Sequence, residues 1–252
     1  MIVYIFIVSK YTIVFQMASI QFINHASVLI SDNNNAILTD PWYSGSIFNK
    51  GWDLLYKPKE EDILKLLNKT SHIWISHEHP DHFSPTFFNK YQELIQSKRI
   101  KILFQFTKDK RVVTFLKKKK FNVTEIKNNL EYRINDKLSI KVQSVDFYDS
   151  ALIININNKK IININDCPFD NLKSLNNFAK KYGPADILLT QFSYAAWKGG
   201  KKNIEWRKKA AEEKLIKMRQ QAKALSCNVI IPFASFIYFS NQENRYLNDS
   251  VN

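Results

Sequence analysis

Between residues 76 and 82 the chain reads Ser-His-Glu-His-Pro-Asp-His, and this stretch holds three of its five histidines. His77, His79, Asp81 and His82 are donor types that bind zinc and non-haem iron. They follow Ile73-Trp74-Ile75, an apolar run of the kind that forms a buried strand. Without a metal, four such groups in one loop at a strand end would crowd unpaired polar atoms together. A metal with an open coordination position lowers the pKa of bound water and supplies hydroxide at neutral pH, so metal-dependent hydrolysis is the first chemistry to expect. Pro80 stiffens the loop. Ser84-Pro85 just beyond it carries the N-cap and first-turn residues of a helix start.

The elements that must position this loop alternate between strand and helix. Residues 20–31 read as one or two strands with His25 near a turn, and 36–39 as a short strand ending at Asp40-Pro41-Trp42. Residues 60–68 place Ile63, Leu64, Leu66 and Leu67 at helical spacing ahead of the strand 71–76. Phe87, Phe88, Tyr91, Leu94 and Ile95 share one face of the next helix. A strand at 100–106, a helix at 108–119 and a strand at 123–126 complete an α/β layer. The second half opens with β-forming runs at 132–146 and 151–166, joined within the latter by an Asn157-Asn158 turn. It continues with a helix at 170–182, a strand at 186–192, a long helix at 203–225 and a strand at 228–233. The pattern is two β-sheets between helices, a single α/β domain over 17–252 with no linker to divide it. Residues 1–16 are an apolar extension; Lys10 interrupts them well short of the ~20 apolar residues of a membrane span. They lack the basic segment and cleavage residues of a signal peptide, and Met17 is an alternative start.

Composition narrows the partners. A hydrophobic share of 45% over 252 residues, with only five glycines and seven prolines, describes a globular chain with a real core. The formal charge of +14 suits an anionic small molecule. Most lysines are spread along the chain as a solvated surface, which argues against specific nucleic-acid binding. The densest functional candidate is the 203–225 helix, with Arg207, Lys208, Lys209, Lys214, Lys217, Arg219 and Lys223. Two cysteines, Cys167 and Cys227, are too few for a disulfide framework and fit a reducing, cytoplasmic setting.

The spacing His77-x-His79-x-Asp81-His82, straight after a strand and before a capped helix, resembles the metal-binding signature of the metallo-β-lactamase fold superfamily. The resemblance implies an αββα sandwich, with the His-x-His pair on one metal and the Asp-His pair on a second. It implies Asp81 as the catalytic residue that both ligates and orients hydroxide. It also implies a further ligand after the second-half strands begin, for which Asp146 is the expected residue and Asp149 the fallback. Asp166, at the end of Asn163-Ile164-Asn165-Asp166-Cys167, matches the bridging carboxylate. Consecutive residues point to opposite faces, so Cys167 is not expected to reach the metal. No histidine follows His82, so the last family ligand is missing. A set so rich in carboxylate favours iron, manganese or a single metal, with zinc the alternative. Asp40 is expected to hydrogen-bond the ligand loop from behind. Tyr194 and Trp197 are expected to line a substrate pocket. His25 and His72 are expected to be structural.

Asp40-Pro41-Trp42, Trp74 to His82, Tyr148-Asp-Ser-Ala-Leu152, Asn165-Asp-Cys167 and Pro232-Phe-Ala-Ser-Phe236 are similar to the lactamase-type domain of CMP-N-acetylneuraminate hydroxylase-like proteins. The similarity runs from about Ile20 to the last residue, and such proteins run on further, which implies either an early C-terminal stop or a fragment here. They pair this domain with a Rieske iron–sulfur domain. These residues hold no Cys-x-His…Cys-x-x-His set for such a cluster. Hydrolysis of a phosphorylated or sugar-nucleotide-like molecule is therefore the leading expectation. The alternatives are a Rieske-less hydroxylase component with one iron, served by a separate electron-transfer protein, and a non-catalytic metal-binding module.

Overall fold

The computed structural model describes residues 3–4, 12–15, 18–32, 34–169 and 171–252. The first half contains β1 (Val3–Tyr4), β2 (Thr12–Phe15), β3 (Ala18–Asn24), β4 (Ser27–Ser31), β5 (Ala36–Thr39), β6 (Trp52–Leu54), α1 (Glu60–Lys69), β7 (His72–Ile75), α2 (Pro85–Lys90), α3 (Gln92–Ser97), β8 (Lys101–Gln105), α4 (Arg111–Lys118) and β9 (Asn122–Ile126). The second contains β10 (Glu131–Arg133), β11 (Leu138–Ser144), β12 (Ser150–Ile156), β13 (Lys159–Asn165), α5 (Leu172–Tyr182), β14 (Ile187–Gln191), α6 (Ile204–Ala224), β15 (Val229–Phe233) and β16 (Ile237–Phe239).

Among the described residues two seven-stranded sheets form, ordered β2-β3-β4-β5-β7-β8-β9 and β1-β15-β14-β13-β12-β11-β10. Two strands inside the apolar N-terminal stretch join them: β1 pairs with β15, and β2 with β3. That stretch therefore contributes edge strands to both sheets; its other residues lie outside the described ones. A small β6–β16 pair, invisible in the sequence pattern, closes one side.

Strand alternation builds the layers. In β7, Trp74 packs between the sheets while Ile73 and Ile75 face the helices of the first layer. The intersheet core joins Ile20, Val28, Ile30, Ile37 and Leu103 to Ile140, Leu152, Ile154, Leu189 and Ile231. Leu67 of α1, Phe88 of α2, Ile95 of α3 and Leu116 of α4 cover the first sheet. Phe178 of α5 and Met218 and Ala222 of α6 cover the second. The aromatic run after Ser84 forms two short helices broken at Tyr91, with Ser84 Oγ accepting from the Phe87 amide at 3.3 Å as the N-cap. The α4 start falls three residues beyond the expected position, because Asp109 accepts from the Arg111 amide at 2.8 Å and holds the chain in a turn first. Arg207 does not belong to the basic face of α6: it is buried and donates to the carbonyls of Gly200 at 2.7 Å and Lys201 at 3.2 Å. No helix among the described residues is long and apolar enough to cross a membrane.

In both sheets the parallel strands β5, β7 and β8, and β13, β14 and β15, run the same way within their sheet, so their carboxyl ends gather loops at an edge. The histidine loop leaves the carboxyl end of β7. His72, at the other end of that strand, is buried against Tyr132, with ring centroids 6.1 Å apart. Burial, then the charge of Lys101, lowers its pKa to about 4. The unfolded chain, near 6.5, takes up this proton first as pH falls. The stability that neutral His72 contributes is thus present above pH ~6.5 and is lost as pH falls towards 4. Urea unfolding of the metal-free protein at several pH values should show this loss, and His72→Gln should flatten the slope across that window.

Candidate metal centre

The loop after β7 is clamped by its first residue. The Ser76 carbonyl accepts from Gln105 Nε2 at 3.1 Å and from Ser150 Oγ at 2.6 Å, which ties both sheets to one peptide. The His79 carbonyl then accepts from the amides of His82 at 2.9 Å and Phe83 at 2.7 Å. This tight turn brings His77, Asp81 and His82 into the interior, while His79 stays exposed.

Asp40 lies behind the loop and is buried. Its Oδ1 accepts from the Ser76 amide at 2.7 Å, and its Oδ2 accepts from Ser76 Oγ at 2.8 Å and His82 Nδ1 at 2.9 Å. A carboxylate only accepts, so His82 carries its hydrogen on Nδ1. Neutral His82 therefore turns the bare Nε2 into the cluster. Ser76 Oγ, its hydrogen committed to Asp40, also lies 3.0 Å from His77 Nδ1. The same logic leaves His77 Nε2 as the electron-pair end. It lies 2.8 Å from His79 Nδ1, a separation at which two bare nitrogens need a proton or a cation between them.

Asp166 is delivered by a bulge. The β13–β14 register shifts between Asn163 and Asn165, and Asn165 takes a positive φ of 35°. Asn163 Oδ1 accepts from the Asn165 amide at 2.9 Å, and Asn165 Nδ2 donates to the Ser150 carbonyl at 3.0 Å. The bulge re-aims the next side chain, so that Asp166 Oδ1 lies 3.5 Å from His82 Nε2. Cys167 is buried beside it. Burial, then the charges of Asp149 and Asp166, pushes its thiol well above the usual range.

The expected middle ligand is corrected. Asp146 is exposed, in a 3-10 turn spanning Asp146–Tyr148. That turn rotates the chain so that Asp149, the fallback, points inward instead, its Oδ1 3.3 Å from His77 Nδ1. Asp149 thus faces the ring nitrogen turned away from His79. This is the place of a carboxylate that orients a ligand histidine. Tyr194 is buried and its hydroxyl donates to the Leu247 carbonyl, which satisfies a phenol held in the core. Trp197 is 63% exposed and meets Trp206 edge-on at 5.5 Å.

His25, expected to be structural, lies against the site. It sits in the β3–β4 turn, buried, with Nε2 3.2 Å from Asp81 Oδ2. The available signal was the position of the turn, at a strand end near the Asp40 edge, but no local pattern said which way the ring points.

Two donor sets emerge: His77, His79 and Asp166, and His25, Asp81 and His82. Within them, among the described residues, the buried atoms Asp81 Oδ1, His82 Nε2 and Asp166 Oδ1 have no hydrogen-bond partner. Orphaned acceptors beside bare imidazole nitrogens are what a cation satisfies, and the side chains fit one or two divalent metal ions. Protons substitute when metal is absent. Burial opposes a charge on His82, but Asp81, Asp166 and Asp40 raise its pKa well above the ordinary value. Burial likewise opposes ionised Asp81, yet His82 and His25 hold it well below the usual carboxylate range. Burial and Asp166 raise the pKa of Asp149 against the pull of His77.

The beta-lactamase superfamily domain matches residues 19–155 of this chain. The chain belongs to the metallo-β-lactamase superfamily. The cytidine monophosphate-N-acetylneuraminic acid hydroxylase of Danio rerio is 25% identical over 250 residues, covering 92% of this chain and 40% of that protein. The chain therefore spans about 40% of the length of the curated relatives it matches. Among solved structures, CmlA, a diiron beta-hydroxylase from Streptomyces venezuelae, superposes with a TM-score of 0.60 at 14% identity, over 88% of this chain and 45% of that one. The metallo-beta-lactamase fold protein YhfI from Bacillus subtilis gives 0.51 at 13% identity, over 85% and 91%. These likenesses carry the αββα fold.

Asp40→Asn should leave the fold intact and turn an amide N–H towards His82. Loss of an outer carboxylate partner lowers metal affinity roughly 10–100-fold, which competition with a chromophoric chelator will measure.

Proposed function

We propose that this domain is the metal-binding part of a hydroxylase that inserts one atom of dioxygen into an anionic, sugar-nucleotide-like molecule. The observation that carries this reading is the composition of the His77, His79 and Asp166 set, two imidazoles and one carboxylate. That is the ligand set of non-haem iron oxygenases that keep open positions for substrate and oxygen. The hydroxylase names of the relatives agree with it. Iron bound there supplies reductive activation of dioxygen.

The remaining steps fall to the chain's own residues. Beside Asp166 lies a polar recess of about 110 Å³, lined also by Thr190, Gln191, Lys214, Lys217 and Gln221. Lys214 donates to Gln191 Oε1, which holds its ammonium at the recess wall. Two lysines here suit a phosphate or carboxylate group of the substrate. Phe48 packs edge-on to His79 at 6.5 Å and to Trp52 at 4.7 Å, which places aromatic surface next to the exposed histidine. Asp149 and Ser76 hold His77, and Asp40 holds His82, so the donors are fixed before substrate arrives. Hydroxylation places one oxygen atom in a C–H bond and the other in water, and it consumes two electrons. These come from an electron-transfer protein or domain outside the 252 residues, which hold no Rieske ligand set.

The same donor types also hold catalytic zinc, so hydrolysis of an anionic substrate is the competing outcome of the test. Protein purified anaerobically without added metal should carry iron. With a reductant and an electron mediator it should consume oxygen and add one oxygen atom to CMP-N-acetylneuraminate, read by mass spectrometry. His77→Ala should abolish this, and Lys217→Ala should raise KM about tenfold, the loss of one charge-assisted contact worth about 1.4 kcal/mol. Asp146→Ala should change neither kcat nor KM. Bound zinc with hydrolysis and no oxygen uptake would replace this reading with the hydrolase.

A further inference from the structure

We infer that His25 is a metal ligand, and that with Asp81 and His82 it completes a second metal position which these 252 residues otherwise lack the histidine to build. The inference rests on the metal-binding reading of the site and is independent of which metal it holds.

The inventory creates the problem. The five histidines are His25, His72, His77, His79 and His82, so residues 83–252 contribute no imidazole. His77 and His79 face each other at 2.8 Å and serve the first position. His72 lies at the opposite end of β7 and bonds Ser71 Oγ at 2.9 Å. The second position would be left with His82, Asp81 and a share of Asp166, unless His25 reaches it.

The geometry shows that it does. His25 Nε2 and His82 Nε2 each lie 3.2 Å from Asp81 Oδ2, so one carboxylate oxygen sits between two imidazole nitrogens. Donors bound ~2.0–2.2 Å from one cation, at tetrahedral or octahedral angles, stand roughly 3.0–3.5 Å apart. The spacing is thus the edge length of a coordination polyhedron. Among the described residues His82 Nε2 and Asp81 Oδ1 have no hydrogen-bond partner although both are buried, and a cation beside them would satisfy both. The ring of His25 has little freedom to sit elsewhere. It packs edge-on to Trp42 at 5.7 Å and to His82 at 5.8 Å. Its turn is held by Asn24 Nδ2 donating to the Trp42 carbonyl at 2.8 Å, by Thr39 Oγ1 donating to the Ala26 carbonyl at 2.9 Å, and by the Ala234 amide donating to the His25 carbonyl at 2.9 Å.

The competing role is that of a positioning residue whose Nε2–H only donates to Asp81. The two roles differ in what they do to metal binding. Loss of an outer hydrogen-bond partner weakens a metal roughly 10–100-fold, whereas loss of a ligand should exceed that range at one position and spare the other. His25→Gln keeps an N–H donor near Asp81 but removes the imidazole.

The test titrates cobalt(II), then ferrous iron under anaerobic conditions, into metal-free protein. Stoichiometry is read by calorimetry and visible absorption, with folding checked by circular dichroism. Wild type should bind two equivalents. His25→Gln and His25→Ala should keep the first and lose the second by more than about 100-fold, while His72→Gln should match wild type. Two equivalents in His25→Gln at wild-type affinity overturn the inference, as does a wild type saturating at one. Should neither variant fold, zinc titration of wild type with ¹⁵N-labelled histidine decides. A large shift of His25 Nε2 with the second equivalent supports ligation, and an Nε2–H that persists through both equivalents overturns it. Failure of the whole metal reading has a different signature, the loss of both equivalents from the wild type.

Discussion

The site depends on one buried carboxylate. Asp40 is 1% exposed, and an uncompensated charge at that depth would cost several kcal/mol. Its two oxygens accept from three donors, the Ser76 amide, Ser76 Oγ and His82 Nδ1. Its own amide donates to the Trp74 carbonyl at 2.9 Å, extending the β5–β7 pairing by one step. Asp40 thus ends one strand, begins the loop of the next and sets the tautomer of a histidine. The positive φ of 38° at Asp40 is the backbone strain that places the side chain there.

Everything around it serves to keep that carboxylate dry and the strand ends aligned. Ile73 and Ile75 face the helices while Trp74 fills the intersheet core, so a slip of one residue in β7 would reverse all three and swing the histidine loop off the edge. The second sheet answers from across the core. Ser150 Oγ grips the Ser76 carbonyl, and the Asn163–Asn165 bulge turns Asp166 towards His82. The loop is therefore held from both sheets, and the donors are positioned by strand ends rather than by the loop's own preferences.

The strand before His77, the Ser84 cap and the Asp40 support were all legible in the sequence because each is local: an apolar run, a Ser-Pro pair, a strand-end aspartate. The same holds for the two β-sheets between helices. What was not legible depends on rotation or on distance. Asp146 and Asp149 are separated by a single 3-10 turn, and which one faces inward follows from that turn, with Tyr148 at a φ of 61°. Tyr194 looks like a pocket residue until the partner of its hydroxyl, Leu247, is known from the far end of the chain. Val3–Tyr4 and Thr12–Phe15 read as an apolar extension because their partners, β15 and β3, are distant in sequence or belong to another element, and they lie in two different sheets.

His25 is the sharpest instance. Its neighbours in sequence are turn and strand residues, and nothing near it resembles a ligand motif. Its meaning comes from a contact 56 positions away, with Asp81. The absence of any histidine after His82 reads as a defect when the chain is viewed linearly. In three dimensions the β3–β4 turn brings an imidazole to within 3.2 Å of Asp81 from the start of the fold. The Ala234 amide, at the end of β15, fastens the His25 carbonyl to the opposite sheet. A turn from the start of the fold, buttressed by a strand from its end, can present an imidazole from either direction. The sandwich brings strand ends from both sheets to one edge, so the constraint on the centre is where a donor arrives in space, and the order along the chain is free to vary.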